Sequence, residues 1–189
     1  MTPTRVLVGG IGYRNLTDHS AGVLAVDALA RREWPEHVSV EELSYGPVAV
    51  AQRLDDETGD RRFGRLIAVS SVAHGDGRLP GTITAYRWDR VLPSPEKVQG
   101  AVAEAVTGVI AMDNTLIVCQ QFGALPADAV VVEIEPLWQE SGEELSAPIA
   151  ASFDELCALV TTLAMDEAAV ERLPIAPLGG RANAATKGS

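Results

Sequence analysis

The sequence is poor in residues that define several functional classes. It has 2 cysteines in 189 residues, and Cys119 and Cys157 share no metal-type spacing, which argues against a disulfide framework or a cysteine metal site. Both lie in apolar periodic segments, so we expect buried free thiols. There are 15 basic residues against 26 acidic ones, a net charge of -11. A nucleic-acid binder normally carries a basic patch, so we expect no nucleic-acid partner.

Long apolar segments are also missing. The first ten residues, "MTPTRVLVGG", contain no apolar core of a secretory signal. No apolar run approaches the ~18 residues that span a bilayer. The composition, 47% hydrophobic and 22% charged, is that of a soluble globular protein. We therefore expect a cytoplasmic protein without a membrane segment.

The sequence does contain short Val- and Ile-rich runs that alternate with longer helical patterns. The predicted strands are 5–8, 37–44, 65–72, 82–88, 114–121 and 129–136, and the predicted helices are 21–32, 48–54, 95–110 and 149–165. This alternation predicts an α/β three-layer sandwich with a mostly parallel central sheet and helices on both faces. Residues 1–172 are expected to form a single domain, and 173–189, rich in Ala, Gly and Pro, a mobile tail.

Functional side chains in such sheets collect at the carboxyl ends of the strands. This rule selects three predicted loops, 9–20, 70–77 and 88–96. The first begins with "GGIG", but Asn15 stands where a dinucleotide-binding motif needs its third glycine. The second contains Ser70, His74 and Asp76, which lie too close in sequence for a catalytic triad and lack a G-x-S-x-G motif.

Several polar residues have ordinary structural explanations at this stage. His74 and Asp76 are predicted to be turn residues, and Glu133 and Glu135 are predicted to be solvated acids at the end of a strand. Asp18 is a natural helix N-cap. A protonated imidazole next to a helix start is unfavourable. Two interpretations of His19 therefore remain: a side chain on the surface, or a neutral ring that can bind a metal ion.

Four further segments have a characteristic order and spacing: "GIGYRNLTDHSAG" at 10–22, "LPGT" at 79–82, "PSPEKVQGAVAEAV" from Pro93 and "IEPLWQESGEELSAPIAASFDELCALVTTL" from Ile134. Together they resemble the endopeptidases that mature nickel–iron hydrogenases by trimming the C-terminus of the large subunit. The first resembles the family's G-x-G-N-x-L-x-x-D-[DE]-x-x-G stretch, and the third its S-P-H helix start. The resemblance covers nearly the whole chain to about residue 164.

The resemblance implies a metal-dependent proofreading step. In the family, an acid in the first loop, an Asp after the third strand and a His at a helix start bind the nickel of the precursor and license one cut. Two carboxylates and an imidazole suit a borderline divalent ion. The nickel belongs to the substrate, so no cofactor of the protein's own is implied.

This sequence departs from the family at each of these positions. His19 replaces the first-loop acid, Ser70 the strand-three Asp, and Glu96 the helix-start His. Ser44 stands at a position that often carries Asp, and Tyr13 at the Asn of the first motif. A hydroxyl is a poor substitute for a charged ligand.

Three hypotheses follow from the resemblance and its departures. The first is a hydrogenase maturation protease-like protein that cleaves or inspects the C-terminus of a large-subunit precursor. Its predicted metal contacts are His19 and Glu96, with Asp18 orienting or supplementing them and Ser70 and His74 near by. The second is a non-catalytic interaction module that keeps the fold and the partner surface. The third, a small-molecule hydrolase or nucleotide-binding domain, has only "GGIG" in its favour.

Overall fold

The computed structural model describes residues 3–180 as one six-stranded sheet covered by helices on both faces. The strands are β1 (Val6–Gly10), β2 (Val38–Glu42), β3 (Arg65–Ser71), β4 (Ile83–Trp88), β5 (Asp128–Ile134) and β6 (Ile175–Ala176). The helices are α1 (Ala21–Ala30), α2 (Pro47–Asp55), α3 (Pro95–Thr107), α4 (Met112–Gln121), α5 (Ala147–Met165) and α6 (Glu167–Glu171). Short 3₁₀ turns span Thr17–Ser20 and Gly59–Arg61. The predicted α/β sandwich is confirmed.

The sheet order is β2-β1-β3-β5-β4-β6. β2, β1, β3 and β5 are parallel neighbours, whereas β4 pairs antiparallel with β5. All seven residues of β3 are buried, as its nearly continuous apolar run predicts for a strand covered on both faces. The carboxyl ends of β1, β3 and β5 therefore meet at one edge of the sheet.

Two apolar layers enclose the sheet. On one face α1, α5 and α6 pack against residues such as Val8, Val69 and Val132. On the other face α2 and α4 pack against alternate residues of the same strands, including Leu66 and Val131. Helix α3 packs on the outside of α4. The expected burial of Cys119 and Cys157 as free thiols is also observed.

The predicted strand at 114–121 is wrong, because this segment forms helix α4. The helix lies between the sheet, α2 and α3, and six of its ten residues are buried. A helix that is apolar on most of its surface gives a run that periodicity cannot distinguish from a buried strand.

The prediction that loop 88–96 lies at the carboxyl edge of the sheet is also wrong. Because β4 is antiparallel, it ends near the start of β5, with Arg87 opposite Val130. The Arg90 guanidinium, just beyond β4, donates a 2.8 Å hydrogen bond to the carbonyl of Ala127, just before β5. The loop therefore leaves the sheet at its amino edge.

Ordered structure continues past residue 172, so the predicted tail boundary is wrong for residues 173–180. Ile175 and Ala176 form β6 beside β4, and Ala176 is buried in the core. The remainder of the predicted tail, 181–189, lies outside the described residues.

Helix α5 has 19 residues with a mean hydropathy of 1.3, long and apolar enough to cross a membrane by length and composition. The pair α3 and α4, bent by 109°, passes the same test. In this structure one face of α5, with Ile149, Leu156 and Val160, is fully buried against the sheet, and 33% of its apolar window is buried.

Candidate functional site

The first loop, residues 11–20, connects β1 to α1 at the carboxyl edge. Its motif ends at Gly22, where a Cβ atom would lie 2.4 Å from the Val69 carbonyl oxygen and 2.8 Å from the Ser70 Cα. Only glycine permits this approach, so α1 packs directly against the end of β3. Thr17 has a φ of 39°, an unusual conformation for a β-branched residue. The first loop is thus held tightly in a strained conformation.

Asp18 fastens the first loop to residues 135–146, which we call the closing loop. Its carboxylate is completely buried and accepts hydrogen bonds from the backbone N–H groups of Leu137 (2.9 Å), Trp138 (3.3 Å) and Ser146 (2.7 Å), and from the Ser146 hydroxyl (2.7 Å). Burial alone would raise the pKa of Asp18, but these hydrogen bonds outweigh it and hold the pKa below its usual value. Asp18 is therefore an ionised structural anchor.

His19 follows Asp18 in the 3₁₀ turn and is half-buried. Burial lowers the pKa of its imidazole, and the nearby Asp18 charge offsets this only in part. The ring is therefore neutral at pH 7, the form that binds metal ions.

Glu96 lies in the first turn of α3 and is exposed. Its own backbone N–H and the Ser94 hydroxyl lower the pKa of its carboxyl. The far end of α3 approaches the first loop, since the Ile110 N–H beyond it donates a 2.8 Å hydrogen bond to the Tyr13 hydroxyl. Glu96 lies at the opposite end of α3. With a rise of ~1.5 Å per residue, it is ~16 Å along the helix from Thr107.

Ser70 and Ser44, which stand at two other positions of the family's site, form local hydrogen bonds. Ser70 is buried and its hydroxyl donates a 3.4 Å hydrogen bond to the Ser71 carbonyl. The Ser44 hydroxyl accepts from the Gly12 N–H at 3.1 Å and donates to the Gly10 carbonyl at 3.4 Å. It therefore joins the end of β2 to the first loop. Neither serine brings a charge to the carboxyl edge.

Among residues 3–180, no group of three or more His, Cys, Asp or Glu side chains could hold a metal ion. Asp18 is already committed to four donors. A metal site formed by His19, Glu96 and Asp18 stays a prediction for binding measurements to test.

The structure brings together a different set of residues, which we call the carboxyl-end cluster: His74, Tyr86, Asp113 and Glu133. His74 Nε2 lies 2.9 Å from Glu133 Oε2, and their side chains are 10% and 1% exposed. The backbone N–H of His74 is shared between the two carboxylate oxygens of Glu135 at 3.2 and 3.3 Å. His74 is thus held over the ends of β3 and β5.

Burial dominates the chemistry of this cluster. It raises the pKa of the Glu133 carboxyl, although His74 and the Tyr86 hydroxyl partly offset the shift. The Tyr86 hydroxyl donates a 3.0 Å hydrogen bond to Glu133 Oε1, and burial followed by the Glu133 charge raises the pKa of Tyr86. Burial also raises the pKa of Asp113, with His74 opposing. Tyr86 therefore stays protonated as a donor.

Residues 177–180, which we call the C-terminal segment, cover one side of this cluster. The Gly179 N–H donates to the Tyr86 hydroxyl at 2.9 Å, and its carbonyl accepts from Arg78 Nη2 at 2.9 Å. A Cβ atom on Gly180 would lie 3.1 Å from the Tyr86 ring. The segment thus packs against the cluster through backbone groups.

Sequence reasoning missed most of this cluster. The prediction that Glu133 and Glu135 are solvated is wrong, since Glu133 is 1% and Glu135 8% exposed. His74 lies in the loop after β3, but its contact with Glu133 was not predicted. Strand alternation carried one signal, because Glu133 has the same parity as the buried residues Ala129 and Val131. Asp113 was not identified, because the segment after it was predicted to be a strand at 114–121, whereas Asp113 lies in the first turn of helix α4.

No protein-family model and no curated protein matches this sequence. Solved structures do match. An endopeptidase from Escherichia coli is similar at 24% identity, over 90% of this chain and 98% of that chain, with a TM-score of 0.63. The hydrogenase maturating endopeptidase HybD from E. coli is similar at 22% identity, over 85% and 93%, with a TM-score of 0.58.

An archaeal protein has the same architecture. The nickel–iron hydrogenase maturation protease HybD from Thermococcus kodakarensis is similar at 20% identity, over 85% of this chain and 99% of that chain, with a TM-score of 0.57. The order of the strands and helices, and not only the four sequence segments, is therefore shared. The chain has the fold of the hydrogenase maturation endopeptidases.

Proposed function

We propose that this protein acts in the maturation of a nickel–iron hydrogenase. It works in the cytoplasm on the C-terminal segment of a large-subunit precursor, which it cleaves or inspects. The observation that carries the proposal is the fold shared with maturation endopeptidases over most of the chain. Open α/β sheets bind ligands outside the carboxyl ends of their strands, and Asp18 fixes two loops there.

The precursor's nickel is part of the substrate in this proposal. The neutral His19 imidazole, half-buried in the first loop, is a suitable ligand for such an ion. The other two members of the predicted set are placed less favourably, because Asp18 accepts four hydrogen bonds and Glu96 lies at the end of α3 away from the first loop. Cleavage would add water across one peptide bond of the precursor tail.

The direct test mixes the purified protein with nickel-loaded and nickel-free precursor and measures the mass of the large subunit. We expect a shortened subunit only from the loaded precursor, and we expect His19→Ala to abolish the product. His37→Ala is the matched control, because His37 lies before β2, at the opposite edge of the sheet from the first loop. Equal loss in both variants would contradict a role for His19.

A second candidate function is a non-catalytic interaction module. It is favoured by the two serines, Ser44 and Ser70, whose hydroxyls are used in local hydrogen bonds, and by the lack of a three-ligand group among residues 3–180. In the same experiment this module would bind the precursor without changing its mass. Absence of both binding and cleavage would contradict both functions.

A further inference from the structure

Two buried polar atoms in the carboxyl-end cluster face each other without a hydrogen bond. His74 Nε2 and Glu133 Oε2 are 2.9 Å apart, yet within residues 3–180 neither has a hydrogen-bond partner. The pair is thus in ion-pair contact but does not meet the geometry of a hydrogen bond. Buried polar atoms are normally satisfied, so this arrangement requires an explanation.

The separation and the misalignment together match two ligands of one ion. Two ligand atoms at ~2.1 Å from a metal ion, at an angle of ~90–110°, lie ~3.0–3.4 Å from each other, and the observed 2.9 Å corresponds to the ~90° end of this range. The ring nitrogen then points at the ion, ~40° away from the line that joins the two ligand atoms. A direct ion pair would instead align the N–H with the oxygen.

The neighbouring cation does not pair closely with Glu133 Oε2. Arg78 is the nearest cation, with Nη1 3.9 Å from Glu133 Oε2. Its guanidinium hydrogen bonds go elsewhere, to Asp76 at 3.1 Å, Thr84 at 3.3 Å and the Gly179 carbonyl at 2.9 Å. Arg78 therefore does not satisfy Glu133 Oε2.

Two further residues of the carboxyl-end cluster, Tyr86 and Asp113, interact with the proposed ligand residues. Tyr86 donates to Glu133 Oε1 and so leaves Oε2 for an ion, an arrangement typical of metal-binding carboxylates. The Asp113 carboxylate interacts electrostatically with both His74 and Glu133. Its Oδ1 atom is also buried without a hydrogen-bond partner among residues 3–180.

We propose that His74 Nε2 and Glu133 Oε2 form a binding site for a divalent transition-metal ion of the zinc, nickel or cobalt class. Imidazole nitrogen with a single carboxylate oxygen suits this class better than Mg²⁺ or Ca²⁺, which prefer oxygen ligands. Two protein ligands leave the remaining positions to water or to an exogenous ligand. The site is separate from the predicted set of His19, Glu96 and Asp18, and it stands independently of the proposed function.

The test titrates the full-length, chelator-treated protein with Zn²⁺, Ni²⁺ and Co²⁺ in a calorimeter. We expect one saturable ion per chain. Glu133→Gln keeps an acceptor for Tyr86, and His74→Ala removes the imidazole; each is expected to weaken binding by at least ~10-fold, and Tyr86→Phe by ~10-fold. His37→Ala and Asp55→Asn, at residues outside both metal sets, are the controls and are expected to bind like the wild type.

A second measurement needs no variant at the site. The chain has 3 histidines, so three imidazole ¹⁵N signal sets are expected, and His19→Ala and His37→Ala identify His74 by elimination. Zn²⁺ is expected to shift the His74 Nε2 signal alone. Lack of binding by the wild type at millimolar ion, or a site lost in His19→Ala but kept in Glu133→Gln, would overturn the proposal.

Discussion

Strands β3, β4 and β5 carry a polar cluster at each end, and the two clusters differ in how well their buried charges are paired. The amino-end cluster consists of Arg65, Arg87, Asp128 and Glu167. Arg65 is 5% exposed and bonds to Asp128 at 2.6 Å and to Glu167 at 2.7 Å, while Arg87 reaches the other Asp128 oxygen at 3.1 Å. In the carboxyl-end cluster, His74 Nε2, Glu133 Oε2 and Asp113 Oδ1 have no hydrogen-bond partner within residues 3–180.

We attribute stability to the well-paired amino-end cluster and ligand binding to the poorly paired carboxyl-end cluster. A buried charge with complete hydrogen bonding is costly to disrupt, because the loss of one partner leaves the other uncompensated. Buried polar groups left without partners cost stability themselves, and such groups are expected at sites that bind ligands. Substitutions of Arg65 and Glu133 test this contrast directly, and substitutions of Asp18 and Gly180 test the contacts at the carboxyl edge, in order of expected effect.

Arg65→Met is expected to lower the free energy of unfolding by ~3 kcal/mol, because it leaves Asp128 and Glu167 without their buried cation. Urea denaturation measures the change. Arg62→Ala is the matched control, since Arg62 is 58% exposed and has a single ion pair with Asp55; its expected cost is under ~1 kcal/mol. Equal costs would refute the structural importance of the amino-end cluster.

Asp18→Asn is expected to cost ~2 kcal/mol at pH 7, because the amide places hydrogens against backbone donors. The folded-state pKa of Asp18 lies below its usual value, so its stabilisation is complete above about pH 5 and is lost as the pH falls through the folded-state pKa. Urea midpoints of the two proteins should therefore converge as the pH falls below the usual range of an Asp carboxyl. A difference that is constant with pH would show that the charge is unimportant.

Gly180→Ala is expected to cost ~1–2 kcal/mol, part of it from a left-handed backbone and part from contact with Tyr86. Gly77→Ala isolates the backbone contribution, because Gly77 has a φ of 85° but nothing within 4 Å of an added Cβ. Thermal denaturation compares the two variants. If Gly77→Ala costs as much as Gly180→Ala, the packing of the C-terminal segment on Tyr86 adds no stability.

Glu133→Gln is expected to change the free energy of unfolding by less than ~1 kcal/mol in either direction, because it removes a buried charge and keeps the acceptor for Tyr86. Urea denaturation again provides the value. A loss above ~2 kcal/mol would mean that the carboxylate is as well satisfied as Asp128, and the contrast between the two clusters would disappear.

Much of the fold follows from the sequence because its patterns are local. The continuous apolar run of β3 and the proline-led start of α3 identify those elements, and their alternation gives the layers. The antiparallel direction of β4 depends on pairing with a strand more than 40 residues away. No local pattern specifies it, and for that reason the loop that leads to Glu96 was expected at the wrong edge.

The candidate site was less predictable for the same physical reason. Asp18 resembles a simple helix cap, and its four donors come from residues about 120 positions later. Glu133 and His74 are 59 positions apart in the chain, and only the sheet brings them within 2.9 Å. Burial and pairing at a site are tertiary properties, so sequence spacing alone could not identify this pair.

The C-terminal segment also constrains the order of events during synthesis. The Gly179 N–H bonds to Tyr86, 93 residues earlier in the chain, and β6 completes the outer side of β4. Chains emerge from the ribosome at about 5–20 residues per second, so Gly179 is synthesised several seconds after Tyr86. Because residues 177–180 follow all six strands in the chain, they cover this side of the carboxyl-end cluster only after the strands have been synthesised.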